Sequence, residues 1–234
     1  MPNPFIIEAP FADPAYYDYS GREGRKIYQV GESFTFNILL FGHAIGWSQA
    51  FIEAASNIFQ GEFGRTRDSV RLVNIWDGYN GDLLFDGKNQ IKLPGYRIWS
   101  DEFADNIAEV NEATIYFSTP LQIRRNKMVV KDIDFKLFIN SVFSRIAAII
   151  DLYEDQEFTI PYGLLYRLPK VSMESNFEEI KIQQKGYPIV GLLGKIHLNG
   201  ALTRYMPYID LGGQLHIGGS TTKGCGEYQI EIGG

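Results

Sequence analysis

Few residues in this chain have chemistry to offer. There are three histidines, His43, His197 and His216, and one cysteine, Cys225. The histidines show no HxxxH or HxH spacing, and one cysteine builds neither an internal disulfide nor a cysteine-rich zinc centre. The expectation is therefore no metal and no cofactor. The densest constellation is LGGQLHIGGSTTKGCGEYQI near the C-terminus, where Gly218, Gly219, Gly224 and Gly226 surround Ser220, Thr221, Thr222 and Lys223, with Gly212 and Gly213 upstream. Glycine admits φ > 0 and close backbone approach, so successive N–H groups can converge on an anion. Lys223 adds a point charge and the hydroxyls add donors, which makes phosphate the guest this loop suits. The same glycines would also serve a hairpin that only packs, and on residues alone the two readings stand level. A triphosphate-binding loop is excluded, because no GxxxxGK[ST] stands between a strand and a helix.

Basic residues gather in two further places. Arg124, Arg125, Lys127 and Lys131 flank a turn at Asn126, and Arg65, Arg67 and Arg71 follow Gly64. Guanidinium forks match phosphate oxygens, although charge runs also arise as plain solvated faces. His43 stands between a strand end and a helix start, where polar side chains are presented, and imidazole is the usual proton carrier near neutral pH. The alternative for His43 is a surface or capping role. His216 alternates with Leu215 and Ile217 as an inward or sheet residue would, which favours a structural role. The acidic run DGYNGD, residues 77–82, misses the calcium-loop positions and has no closing glutamate, so it reads as a hairpin turn.

Composition limits the classes open to the chain. With 234 residues and 45% apolar content it is an ordinary globular sequence with room for one large domain or two small ones. No apolar run reaches the roughly 18 residues of a membrane span, and MPNPFIIEAP is no secretory signal, so a cytoplasmic protein without membrane contact is expected. The formal charge of −6 argues against indiscriminate polyanion binding. The charge is unevenly spread, with 13 Lys and Arg against 12 Asp and Glu from Ile115 onward and 9 against 16 before it. A nucleic-acid surface belongs mainly on the C-terminal half.

The elements that must position these residues follow from periodicity. Phe34, Phe36 and Ile38 alternate with polar neighbours in a strand over 33–41. Trp47, Phe51, Ala55, Ile58 and Phe59 fall on one helical face, and residues 70–76 read as a strand. A strand over 113–118 ends at Thr119-Pro120. The stripe Phe135, Phe138, Ile139, Val142, Phe143, Ile146, Ile149 and Ile150 makes the clearest helix, capped by Asp132 or Asp134. Residues 154–179 read as mixed and extended, with a strand edge over 180–182. A glycine-containing strand spans 187–198, and 199–211 reads as a short helix with Leu202, Met206 and Ile209 inward. The glycine loop and a strand through Tyr228, Ile230 and Ile232 close the chain. Strands and helices without long βαβ repeats predict an α+β architecture with antiparallel sheets.

Three passages carry a family resemblance. GLLGKIHLNGALTRYMPYIDLGGQLHIGGSTTKGCGEYQI, from Gly191, resembles the C-terminal signature of the CRISPR-associated repeat-RNA endoribonucleases, the Cas "six" family of the RAMP superfamily. GESFTFNILLFGHAIGWSQAFIEAASNIFQGEFGRTRDSVRLVNI resembles that family's strand, helix, Gly-rich turn and strand, and IYFSTPLQIRRNKM its strand, "TPL" turn and basic hairpin. The order of the three matches the family. The resemblance implies tandem ferredoxin-like, RRM-like folds, with domains at 1–112 and 113–234. It implies a loop, Gly218 to Gly226, and a basic hairpin, Arg124, Arg125 and Lys127, set against CRISPR repeat RNA, with other Cas effector subunits as further partners. It also implies metal-independent cleavage of precursor RNA, in which the ribose 2′-OH attacks the adjacent phosphorus to leave a 2′,3′-cyclic phosphate. Tyr16, Tyr17 and Tyr19 are the candidates for base stacking. In many members the catalytic histidine lies ahead of the strand matched here to 33–41, and only about thirty residues precede that strand. The chain therefore resembles a member without its N-terminal part, which leaves an enzyme with His43 as its proton carrier, a non-catalytic crRNA-binding module, and an acidic scaffold with no RNA role as the alternatives.

Overall fold

The computed structural model describes residues 2–8, 29–59, 62–63, 68–98, 109–126, 128–153, 159, 161–166, 170–182 and 188–233. In chain order they form β1 (Phe5–Glu8), β2 (Asn37–Leu40), α1 (Ser48–Ile58), β3 (Glu62–Phe63), β4 (Asp68–Ser69), β5 (Ile75–Trp76), β6 (Leu83–Phe85), β7 (Glu112–Leu121), β8 (Arg124–Arg125), β9 (Met128–Val129), α2 (Phe135–Tyr153), α3 (Tyr162–Tyr166), β10 (Ser172–Ile182), β11 (Ile189–Asn199), α4 (Met206–Leu215) and β12 (Tyr228–Ile232). They group into two compact units, Leu40–Trp99 and a larger one of Met1–Leu39 with Ser100–Gly234.

A four-stranded antiparallel sheet in the order β10-β11-β7-β12 organises the larger unit. Its central strand β7 shows why the alternation was readable. Ala113, Ile115 and Phe117 are buried while Glu112 and Tyr116 are exposed, as a half-solvated strand of period two requires. On the inner face, Phe117 meets Tyr228 of β12 at 5.2 Å between ring centroids and Phe177 of β10 at 5.8 Å. The second contact reaches across β11 because Gly194, opposite both Phe117 and Phe177 in the register, carries no side chain to separate the rings.

Helix α2 supplies the other wall of this core. Phe135, Phe138, Ile139, Val142, Phe143, Ile146 and Ile149 are buried at the expected 3.6-residue spacing, each contributing about 1.5–3 kcal/mol by leaving water. Asp134 caps its start by accepting a hydrogen bond from the Leu137 amide at 2.7 Å. Phe143 packs on Tyr208 of α4 at 4.9 Å and Phe138 on Tyr228 at 6.1 Å, so α2, α4 and β12 close on one another. Strands β1 and β2 form a separate two-stranded sheet.

Several boundaries differ from the periodicity reading. β7 does not stop at Thr119-Pro120 but runs on to Leu121, since its pairing with β11 shifts between Leu192 and Gly194 and leaves Pro120 in a bulge where its missing N–H removes no ladder bond. The helix read over 199–211 lies further on. A 3₁₀ turn, Thr203–Tyr205, leads into α4, with Pro207 in the first turn, where no intrahelical N–H bond is needed. Leu202, Met206 and Ile209 are inward, as expected. Gly212 and Gly213 consequently belong to α4 and not to the loop. Residues 172–182 form one long edge strand, where the periodicity showed only its last turn.

In the unit Leu40–Trp99, a 3₁₀ turn over Gly42–Trp47 precedes α1, which buries Ile52 and Ala55. The strand read over 33–41 is shorter, beginning at Asn37, and that over 70–76 shrinks to Ile75–Trp76. DGYNGD forms the predicted turn of the β5–β6 hairpin, with the Asp77 amide donating to the Asp82 carbonyl at 2.8 Å and Gly81 to Asp77 at 2.9 Å. Helices and antiparallel sheets together give the expected α+β class.

Candidate nucleic-acid interface

The glycine segment leaves α4 at Leu215, and its course is fixed from the first residue. Arg145, buried in α2, donates Nε–H to the Leu215 carbonyl at 3.0 Å, and burial pulls this guanidinium down to about 10 while leaving it charged at neutral pH. The two arms of the loop then pair, Ile217 N–H to the Gly226 carbonyl at 3.1 Å. Both arms are also stitched to the end of β7. Gly226 N–H reaches Pro120 O at 3.1 Å, Gly219 N–H reaches Gln122 O at 2.8 Å, and Glu227 N–H reaches Thr119 Oγ1 at 2.8 Å. Gly226 has φ +82, and a Cβ there would lie 1.9 Å from the Ile217 carbonyl oxygen. Only glycine fits. The glycines therefore answer a packing demand, and they bracket the residues Ser220 to Lys223.

Those residues form the tip. Thr221–Lys223 is a 3₁₀ turn whose first bond is Lys223 N–H to Ser220 O at 2.9 Å, so the Thr221 and Thr222 amides ahead of it have no acceptor within the turn. Ser220 enters at φ 59 and Gly224 leaves at φ 81. Lys223 and Gly218 are exposed, Gly219, Ser220 and Thr222 are partly exposed, and Thr221 is buried.

Gln122 joins this tip to the basic hairpin. Its side chain is almost wholly buried; Nε2 donates to the Val190 carbonyl, while Oε1 accepts from Ser220 Oγ at 2.7 Å and from Arg124 Nη2 at 3.2 Å. One amide thus draws Arg124 to the glycine loop. Removing it leaves the Val190 carbonyl and the Ser220 hydroxyl short of a partner, so Gln122→Ala is expected to cost about 2–3 kcal/mol in urea unfolding. A loss under roughly 0.5 kcal/mol would show that Gln122 does not hold the loop. Electrostatics agree with the placement. Burial pushes the Cys225 thiol up to about 11, while Lys223 and Arg124 both pull it the other way.

Among the other sequence candidates, Arg124 and Arg125 form β8, paired with β9 across a turn where Asn126 has φ 52, the hairpin expected there. Arg125 is exposed, and Lys131 forms an ion pair with Glu179 at 2.8 Å. Lys127, Arg65, Arg67, Tyr16, Tyr17 and Tyr19 lie outside the described residues. His43 is exposed in the 3₁₀ turn between β2 and α1, in the unit Leu40–Trp99.

Sequence spacing passed over a second cluster altogether. His216 is fully buried at the C-terminal end of α4, with φ 56 and ψ 145. Its Nε2 lies 2.9 Å from Glu8 Oε1, and Glu8 Oε2 accepts from Asn37 Nδ2 at 2.7 Å. Burial opposes the Glu8 charge, but the hydrogen bonds from His216 and Asn37 outweigh it and hold its carboxyl below the ordinary value. Glu227 behaves in the opposite sense, pushed up by burial and by the Glu8 carboxylate. Asn3 donates to Thr222 Oγ1 at 3.2 Å, so residues ahead of β1 also touch the loop.

Comparison with known proteins fits this geometry. Residues 1–95 match a family model described as an N-terminal domain (AF_1859_N), and residues 115–228 match the model of the CRISPR-associated endoribonuclease Cas6. No curated protein matches the chain by sequence. Among solved structures, a Cas6 product complex, of the protein TTHB231 from Thermus thermophilus, is 15% identical with a TM-score of 0.58 and covers 98% of this chain and 82% of its own. A second Cas6 product complex, of TTHA0078, is 14% identical with a TM-score of 0.55, covering 98% and 85%. A partial Cas6-RT-Cas1–Cas2 complex is 11% identical with a TM-score of 0.63, and covers 98% of this chain but 39% of that one. These likenesses show a shared, ferredoxin-like fold. With the family model lying over β7, α2, β10, β11, α4 and the glycine loop, the C-terminal part of the chain, residues 115–228, matches the CRISPR-associated endoribonuclease Cas6 family.

Proposed function

We propose that the chain binds CRISPR repeat RNA across the loop Gly218–Gly226 and the hairpin carrying Arg124, Arg125 and Lys127. The observation that carries this is the buried Gln122 amide, which bonds both Ser220 and Arg124 and so sets the exposed Arg124 beside the tight turn that carries the exposed Lys223. Phosphate oxygens are the acceptors that such a donor set fits. In the same proposal residues 1–112 and 113–234 are two ferredoxin-like RAMP domains, a division that the family-model bounds of 1–95 and 115–228 support. His43 is the proton carrier for 2′-OH attack on the adjacent phosphorus, giving a 2′,3′-cyclic phosphate. Partners beyond RNA are other Cas proteins, as the likeness to a Cas6-RT-Cas1–Cas2 complex supports. No helix among the described residues is long and apolar enough to cross a membrane.

The test is to incubate the chain with end-labelled repeat RNA, without added metal, and to follow both gel shift and cleavage. A shifted band with one cut ending in a cyclic phosphate is expected, and His43→Ala is expected to bind normally while cutting slower by on the order of 10²–10⁴-fold. Binding without cleavage by the unaltered chain would leave a crRNA-holding module. Absence of binding even at low salt would remove RNA from the account.

A further inference from the structure

The cluster Glu8, His216 and Glu227 lies at the base of the glycine loop. Its members come from three separate places: the end of β1, the end of α4 and the residue before β12. One donor atom from each, an imidazole nitrogen and two carboxylate oxygens, lies within 4.8 Å of the others. Four ligands around a zinc ion stand roughly 3.4 Å apart, so closing this group onto a cation takes movements of about 1 Å or less. The group is not a solvated acidic face. The His216 side chain is 1% exposed and that of Glu8 12%.

We propose that Glu8, His216 and Glu227 hold one divalent transition-metal cation, of the Zn²⁺ kind, which staples β1 to both arms of the glycine loop.

Four features carry the assignment. Two carboxylates beside one imidazole form an anionic donor set, which a dication neutralises. The other ring nitrogen of His216, Nδ1, is buried with no hydrogen-bond partner among the described residues, so those residues alone do not complete the surroundings of this imidazole. The backbone of His216 is held at φ 56, which is strained for a non-glycine residue, and such strain collects where a side chain is being aimed. Finally, Asn37 fixes the second oxygen of Glu8, as hydrogen-bonding neighbours orient metal-binding carboxylates. One nitrogen with two carboxylate oxygens suits zinc, cobalt or manganese, and leaves a fourth position for water.

The inference concerns the fold of the loop and does not require RNA. It is tested on the full chain, free of any affinity tag, stripped with chelator and returned to clean buffer. Cobalt(II) chloride is titrated and the visible ligand-field absorption followed, and thermal melting is recorded with and without zinc chloride. Saturable absorption at one equivalent and a melting temperature raised by several degrees are expected. Glu227→Gln and Glu8→Gln are each expected to weaken cobalt binding at least tenfold and to lose the zinc-induced rise. His197→Ala, at a histidine on the exposed sheet face, should change neither. Loss of the signal in His197→Ala, its persistence in both glutamine variants, or no cobalt absorption and no zinc effect would overturn the assignment and leave a proton-bridged Glu–His pair. Because no RNA is present, none of these outcomes bears on repeat-RNA binding.

Discussion

Gly226→Ala is expected to displace the glycine loop, lowering stability by about 3–5 kcal/mol and weakening RNA binding at least tenfold. The reason is steric and local. The added Cβ would stand 1.9 Å from the Ile217 carbonyl oxygen, and φ is +82, where an L side chain is already strained. Neither side of the clash can yield cheaply, because Ile217 N–H is bonded to Gly226 O and Gly226 N–H to Pro120 O. Relief means separating the two arms of the loop and detaching them from β7. Urea unfolding gives the stability change and fluorescence anisotropy the affinity. Gly163→Ala in α3 is the control: an alanine there meets nothing within 4 Å, so it should be neutral or stabilising by up to about 1 kcal/mol. Equal effects of the two substitutions would show that the loop does not require glycine at 226.

Phe138→Ala is the second large effect. Phe138 is completely buried in α2 and faces Tyr228, whose hydroxyl is in turn bonded to the Ile209 carbonyl of α4. Truncation removes the ring's burial and leaves a cavity between α2 and β12 that close packing cannot fill, a loss of about 3–5 kcal/mol. Against the 5–15 kcal/mol typical of a whole domain this is a large fraction, and the urea midpoint should fall accordingly with an unchanged slope. A loss below about 1 kcal/mol would mean that the core at this point is already loose.

What could be read in advance was whatever lay within one element. The alternation in β7, the stripe in α2 and the turn at Asn126 each show within a few residues, and each was found where the sequence pattern placed it. Misplacements arose where tertiary contacts overruled local preference. Gly212 and Gly213 weaken a helix in isolation, yet α4 continues through them because Gly212 lets the helix approach the Tyr228 hydroxyl. Pro120 ends most strands, but a bulge opposite β11 accommodates it. Candidate site residues divide in the same way. Lys223 and Arg124 could be proposed from charge and glycine context. Gln122 did not, since an amide in an apolar strand has no motif and its importance lies in partners at Val190 and Ser220. Nor could spacing pair Glu8 with His216, 208 positions apart, when only the close approach of β1 to the loop brings them together.

The dependence of repeat-RNA affinity on salt tests the central claim most directly. If the loop and the basic hairpin hold phosphates, log affinity falls linearly with log salt, and Lys223→Ala and Arg124→Ala each reduce the slope by about 0.7 for a single-stranded target, one released counterion per lost contact. Slopes unchanged in both variants, or no binding by the unaltered chain at low salt, would contradict the account.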